Sequence, residues 1–270
     1  MKIIQIGTGG WGKNHCRVLS ELGVLSAVCD KDLHLAEEFG KKYSVNFYNS
    51  LETLLEKEEF DAAFICTPTI THADIAAKLI ESKKHVFIEK PLTYLSEDGQ
   101  KLVDMANKNN VVLTCGYIER FNPAVSTVKD FLTSKKYGDL IRLEFYREHR
   151  MPQHIKDVGI IYDTAVHDID TAMWLFGKTP EVVFAIAGKI NHEHEDFATI
   201  MLGFKDNKTA TISSNWITPT RVRNFNAVCT DGRIFSDFIT QEIRIETDHG
   251  TENPKNEKTE PLLLEIKNFL

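Results

Sequence analysis

Five short apolar runs alternate with four helical patterns over the first 115 residues, and this alternation leaves few folds open. The runs are Lys2–Ile6, Leu25–Cys29, Ala62–Cys66, His85–Ile88 and Val111–Cys115. The helical patterns are Lys13–Leu22, Leu33–Lys42, Ala73–Ser82 and Ser96–Asn109. Runs of about five residues without polar alternation suit parallel strands covered on both faces. Strand–helix repetition implies βαβ units with right-handed crossovers. Residues 1–120 are therefore expected to form an α/β domain around a doubly wound parallel sheet.

The pattern changes after Asn122. A helix is expected over Pro123–Thr133, a strand over Ile141–Tyr146 and a long helix over Val158–Phe176. Strand then follows strand: Val182–Ala187, Ala198–Phe204, Lys208–Trp216, Asn226–Cys229, Arg233–Phe238 and Glu242–Glu246, with turns at Gly188, Asp206-Asn207 and Asp231-Gly232. Alternation in Thr209–Trp216 implies a mainly antiparallel, open sheet with one covered face. Residues 121–270 thus read as a second, α+β domain. His249–Glu260 reads as a polar loop, and Pro261–Leu270 as a helix with Pro in its first turn and no C-cap, so the second domain is expected to be cut short at Leu270.

Composition excludes several classes. The chain is 42% hydrophobic and 26% charged, too apolar for disorder. No stretch approaches the roughly 20 apolar residues of a membrane span. A net charge of −7 without a basic block argues against nucleic acid as a partner. The N-terminus lacks the long apolar region of a signal peptide, so a cytoplasmic protein is expected. Cys16, Cys29, Cys66, Cys115 and Cys229 include no C-x-x-C pair and read as reduced thiols rather than disulfides or a zinc site.

The first run passes into Gly7-Thr8-Gly9-Gly10-Trp11-Gly12, a G-x-G-x-x-G loop between a strand and a helix. Gly7 permits the tight turn, Gly9 a close backbone approach to a pyrophosphate, and Gly12 close helix–strand packing. The helix that follows offers free N–H groups to the anion. Asp30 closes the second run, where a carboxylate can accept both ribose hydroxyl protons and repels a 2′-phosphate. NAD is therefore expected over NADP, although Lys31 would suit the phosphate. A ligand-free glycine turn and a methyltransferase loop are the alternatives.

Glu89-Lys90-Pro91 follows the fourth run, and Gly159 through Asp163, His167, Asp168 and Asp170 opens the long helix of the second domain. Together with Gly7–Gly12, this set resembles the Gfo/Idh/MocA family of NAD(P)-dependent sugar oxidoreductases. The resemblance implies a Rossmann domain and a C-terminal domain whose open sheet forms a homodimer or homotetramer interface. It also implies a last helix, beyond Leu270, packed across the Rossmann domain, and no catalytic metal. Tyr117-Ile-Glu119-Arg120-Phe-Asn122-Pro123 and the Asp157–Asp170 stretch are similar to members that oxidise C3 of UDP-N-acetylglucosamine.

Oxidising a secondary alcohol needs a proton acceptor beside the hydride acceptor. An unperturbed imidazole titrates near working pH, so His167 suits that role. Asp163 lies four residues earlier, on the same helical face, and Lys90 is suited to hydrogen-bond the reacting oxygen. The resemblance implies the same trio. Thr67-Pro68-Thr69, His72 and Glu89 are expected to line the cofactor. Arg120, Asn122 and Tyr162 are expected near nicotinamide or substrate, with a domain salt bridge as the other reading of Arg120 and Asn122. Arg147, His149, Arg150, Gln153, His154 and Lys156 form a cationic stretch suited to a sugar diphosphate, or a solvated loop. His192-Glu-His194-Glu-Asp196 has metal-ligand residues but lies in a turn, and no metal is expected. The expected activity is NAD-dependent oxidation of a sugar or nucleotide sugar. Inositol or free-sugar oxidation on the same fold is the alternative, as is a non-catalytic NAD-binding regulator, which would lack Lys90 or His167.

Overall fold

A computed structural model describes residues 1–151 and 158–270. They form two compact units: Met1–Tyr117 with Leu262–Leu270, and Ile118–Pro261. Among the described residues, the first unit holds a six-stranded sheet in the order β3-β2-β1-β4-β5-β6. The strands are β1 (Ile3–Ile6), β2 (Leu25–Cys29), β3 (Asn46–Tyr48), β4 (Ala62–Ile65), β5 (His85–Glu89) and β6 (Leu113–Gly116), and every pairing is parallel. All residues of β1 and β4 are buried, so these strands carry no polar alternation. β3 is an addition to the five expected strands. Its three residues are largely exposed at the sheet edge, so it has neither an apolar run nor a period.

The helices are α1 (Gly12–Glu21), α2 (Leu33–Tyr43), α3 (Leu51–Lys57), α4 (His72–Glu81) and α5 (Ser96–Asn109). Asp32 and Ser50 cap α2 and α3 by accepting the N–H groups of His34 and Thr53. The strand order reverses between β1 and β4, and open α/β sheets bind ligands at the carboxyl ends of strands at such a point.

A last helix, α8 (Pro261–Phe269), packs on this unit, whereas the expected 121–270 division put it in the second domain. Leu262, Ile266 and Phe269 recur at helical spacing and make one apolar stripe. Leu262 and Ile266 are buried. Phe269 stands edge-on to Phe64 at 5.1 Å and to Phe87 at 5.7 Å, and those two rings stack at 4.5 Å. The helix thus closes an aromatic face of β4 and β5.

The second unit packs α6 (Pro123–Thr133) and α7 (Val166–Phe176) on an eight-stranded sheet in the order β14-β13-β12-β11-β7-β10-β9-β8. The strands are β7 (Leu140–Glu148), β8 (Val182–Gly188), β9 (Phe197–Phe204), β10 (Lys208–Asn215), β11 (Val222–Cys229), β12 (Gly232–Asp237), β13 (Ile243–Thr247) and β14 (Gly250–Glu252). Only the β7–β10 pairing is parallel among those described. Burial alternates along β9 and β10, as a sheet with one covered face requires. β14 lies in the stretch expected to be loop; three exposed residues carry no strand signal.

The long helix differs from expectation at its start. Ile161–Ala165 form a π-helical turn, with the Val166 N–H reaching back five residues to the Ile161 carbonyl, and α7 follows it. No described helix is long and apolar enough to cross a membrane.

Candidate active site

In the first unit the glycine loop joins β1 to α1. Gly7 has φ +84°, and a Cβ there would meet the Cys66 carbonyl oxygen at 2.5 Å. A Cβ on Gly12 would lie 2.0 Å from the Gly7 oxygen. These two glycines are demanded by the protein's own packing. A Cβ on Gly9 would meet only Leu35 Cδ1, at 3.8 Å, and one on Gly10 nothing within 4 Å. The space beside them is open to a ligand. Trp11, largely exposed, precedes α1 and provides no side-chain cap, and the first turn holds no acidic residue. The Asn14 N–H turns back to the Trp11 carbonyl at 2.9 Å, and the N–H groups of Gly12 and Lys13 point to a phosphate site without a side-chain cap.

Asp30 is fixed beside this loop. Its Oδ2 accepts from the Thr8 N–H at 2.7 Å and the Thr8 hydroxyl at 3.0 Å, and its Oδ1 accepts from the Asp32 N–H at 3.0 Å. A carboxylate has about four acceptor sites, so one strong bond remains rather than the two expected for both ribose hydroxyls. These residues fit a dinucleotide: an open glycine loop, an uncapped helix and an adjacent carboxylate.

Two expected cofactor contacts turn inward instead. Glu89 is buried and accepts from the His15 ring Nε2 at 2.8 Å and the Lys90 N–H at 3.1 Å. His72 is buried with its ring nitrogens 2.9 Å from the carbonyl oxygens of Pro91 and Thr67. Its ring straps the cis Lys90–Pro91 peptide to the Thr67-Pro68-Thr69 exit of β4 rather than facing a ligand. Lys90 itself follows β5 at the carboxyl edge of the sheet. The sequence reading missed His15. The available signal was a polar residue on the buried stripe of α1, with Gly12, Cys16 and Leu19, because a buried polar group needs a partner.

In the second unit, Asp163 and the exposed Tyr162 sit in the π-helical turn and His167 in the first turn of α7. Such turns are rare and recur at functional sites. Its N-terminus is held by a residue that the sequence reading weighed only in a metal cluster. The Glu195 backbone carbonyl accepts the Ile160 N–H at 2.9 Å, and its carboxylate the Ile161 N–H at 3.3 Å. Gly159 leaves the room this requires, since a Cβ there would lie 2.1 Å from the Glu195 carboxyl carbon. Asp196 accepts from the N–H groups of Ile190 and Asn191, so this acidic stretch builds turns. Among the described residues no group of three or more His, Cys, Asp or Glu is placed to hold a metal.

Three expected substrate contacts are structural here. Arg147 is 1% exposed; its Nη2 donates to Asp168 Oδ1 at 2.7 Å and its Nη1 to Glu119 Oε1 at 3.0 Å. Its guanidinium lies 4.8 Å from the Phe238 ring centre. Burial opposes the charge, but Asp168 and Glu119 hold the Arg147 pKa above its usual value. Arg120 forms a fork on Asp170, at 2.7 and 2.5 Å. Asn122 is buried, caps α6 through the Ala124 N–H and donates to the Phe238 carbonyl at 3.0 Å. Arg147, Arg120 and Asn122 each find a partner 21 to 116 residues away, which local sequence cannot reveal. Gln153, His154 and Lys156 lie outside the described residues. Two cations that the sequence reading passed over, Arg221 just before β11 and Arg223 within it, lie beside this network.

Comparison with known proteins accords with this arrangement. Residues 1–117 match the family model for the oxidoreductase family, NAD-binding Rossmann fold, and residues 125–235 that of the GFO/IDH/MocA C-terminal domain. The UDP-N-acetylglucosamine 3-dehydrogenase of Acidithiobacillus ferrooxidans is 27% identical over 245 residues, 91% of this chain and 76% of that one. Its solved structure matches with a TM-score of 0.92, over 100% of this chain and 87% of its own. The myo-inositol 2-dehydrogenase of Thermotoga maritima is 27% identical over 92% of this chain and 78% of its own. The WlbA dehydrogenase of Chromobacterium violaceum, solved with NADH and UDP-GlcNAcA, shares the fold at a TM-score of 0.84 and 21% identity, over 100% of this chain and 81% of its own.

Proposed function

This chain belongs to the Gfo/Idh/MocA oxidoreductases, and from that premise we propose that it oxidises a ring secondary alcohol of a nucleotide sugar, C3 of UDP-N-acetylglucosamine, with NAD as acceptor. The enzyme class and the NAD-binding Rossmann domain are given by the family. The substrate reading is carried by the likeness, over the whole chain, to the A. ferrooxidans enzyme.

Bound NAD supplies a hydride acceptor at its nicotinamide. The first unit holds it through the Gly7–Gly12 loop, the α1 N–H groups and Asp30, whose charge disfavours a 2′-phosphate. His167 takes the hydroxyl proton, because an imidazole titrates near working pH. Asp163 orients the imidazole or a neighbouring hydroxyl. Lys90 hydrogen-bonds the reacting oxygen and stabilises negative charge as it develops.

The chain works as a homodimer or homotetramer through the second unit's sheet. Supporting this, Val182, Val183, Phe184 and Ile186 of edge strand β8 are each more than half exposed, a continuous apolar edge that a monomer would not leave bare. It works in the cytoplasm, where its five unbridged cysteines remain reduced.

A second reading, oxidation of an inositol, is favoured by the equal identity to the T. maritima enzyme. NADH absorbance with UDP-N-acetylglucosamine, myo-inositol and free N-acetylglucosamine separates the two. The nucleotide sugar is expected to be the best substrate, and His167→Ala to lower its kcat by about 10²–10⁴-fold with NAD affinity kept. Turnover of inositol alone would overturn the substrate, and unchanged turnover in the variant would overturn the mechanism.

A further inference from the structure

Where β7, β10 and β11 run side by side in the second unit, the covered face of the sheet collects buried polar groups without partners. Arg147 of β7 lies opposite Ser214 of β10 on one side and Arg223 of β11 on the other. Side chains alternate along a strand, so the next positions on this face belong to Trp216, His149 and Arg221. The ladder continues that far: the His149 N–H donates to the Asn215 carbonyl at 3.0 Å, and that of Met151 to the Trp216 carbonyl at 3.1 Å. Opposed side chains on neighbouring strands are about 5 Å apart, so these six share one patch.

Each nitrogen of the Arg147 guanidinium is engaged by Glu119 or Asp168. Arg223 is different. Among the described residues its guanidinium makes no hydrogen bond, and its Nε is buried. Ser214 Oγ and Trp216 Nε1 are buried without partners too, in side chains 1% and 3% exposed. Ser214 and Trp216 on one side of β7 and Arg223 on the other leave three unsatisfied donors on one face, which asks for an acceptor-rich ligand long enough to span β7. Burial, with the nearby Arg147 and Arg221, pushes Arg223 down to about 10, a penalty that an anion would remove. β10 packs against the π-helical turn, so the patch adjoins it. Arg221 is exposed and gives the patch an open side.

We propose that Arg223, with Arg221, Ser214 and Trp216, forms an anion subsite that holds the diphosphate of the substrate's nucleoside diphosphate, an inference that rests on the nucleotide-sugar reading above. Guanidinium forks match phosphate oxygens two at a time, and the hydroxyl and indole N–H serve the rest.

The test is calorimetric titration of UDP into the NAD-loaded protein, in parallel with glucuronate as a carboxylate probe. Arg223→Gln is expected to weaken UDP binding by about tenfold or more and Arg223→Lys by less, with NAD affinity unchanged. Equal UDP affinity in the wild type and Arg223→Gln overturns the subsite, as does absence of UDP binding to the wild type. Glucuronate binding that depends on Arg223 in place of UDP overturns the phosphate assignment. If Arg223→Gln loses its cooperative thermal transition, Arg221→Gln, at an exposed position, is judged by the same criterion. UDP binding through Arg223 with turnover of inositol alone would retain the subsite and refute only the substrate reading.

Discussion

Arg147 shows how a residue's chemistry is decided by its partners rather than its type. Its charge suits a diphosphate, yet Glu119 and Asp168 enclose it. Removing it leaves two carboxylates buried without compensation. Arg147→Ala is therefore expected to lower stability by about 3–5 kcal/mol in urea unfolding, while Arg147→Met combined with Glu119→Leu and Asp168→Leu recovers much of the loss. His149, two residues on, carries a pH effect. Burial pushes its pKa below the ordinary value of 6.5, despite the favourable Arg150 carbonyl. The unfolded chain then binds more protons than the folded one. The stability from this group is fully present above 6.5 and is lost as pH falls through the lower, folded value. His149→Gln is expected to flatten that part of the stability–pH curve; an unaltered curve would refute the assignment. The places of Lys90 after β5, of Asp163 and His167 at the start of the long helix, and of the glycines between β1 and α1 were legible because their motifs are local. The allegiances of Glu89, His72 and Arg147 were not, because distant chain segments meet them.

Among elements, the loop between β1 and α1 separates glycines by purpose. Gly12→Ala drives a Cβ into backbone and is expected to abolish measurable NAD binding in a fluorescence titration. Gly10→Ala meets no atom but holds φ +43°, so it is expected to cost about 1–2 kcal/mol of stability through backbone strain. The π-helical turn makes the matching case in the second unit. Glu195→Ala removes the side-chain acceptor of the Ile161 N–H and is expected to cost about 1 kcal/mol and lower kcat more than it raises the KM for NAD. Thermal unfolding and steady-state kinetics check both halves. Apolar runs of largely buried residues announce themselves, so β1, β2, β4 and β5 were readable, and β6, half-buried, was readable as the end of the apolar run Val111–Cys115. β3 and β14 are three-residue edge strands whose pairing partners, not their own residues, define them. The π-helical turn was unreadable because Glu195, from 34 residues away, helps to set its start.

At the scale of the whole molecule, the apolar edge of β8 fixes an expectation about assembly. Phe184→Lys with Ile186→Lys places two charges on that edge and is expected to shift light-scattering mass from oligomer to monomer without lowering NAD affinity. An unchanged mass would remove the second unit's sheet as the interface. The division of the chain carries another consequence. Residues 118–261 form one unit, and residues on both sides of them in sequence, 1–117 and 262–270, form the other. The second unit is thus a guest spliced into the first. A ribosome synthesises the guest's entire chain before it makes α8, which covers Phe64 and Phe87. The host therefore begins to fold first and finishes last, and in the interval its exposed aromatic face is a natural target for a chaperone.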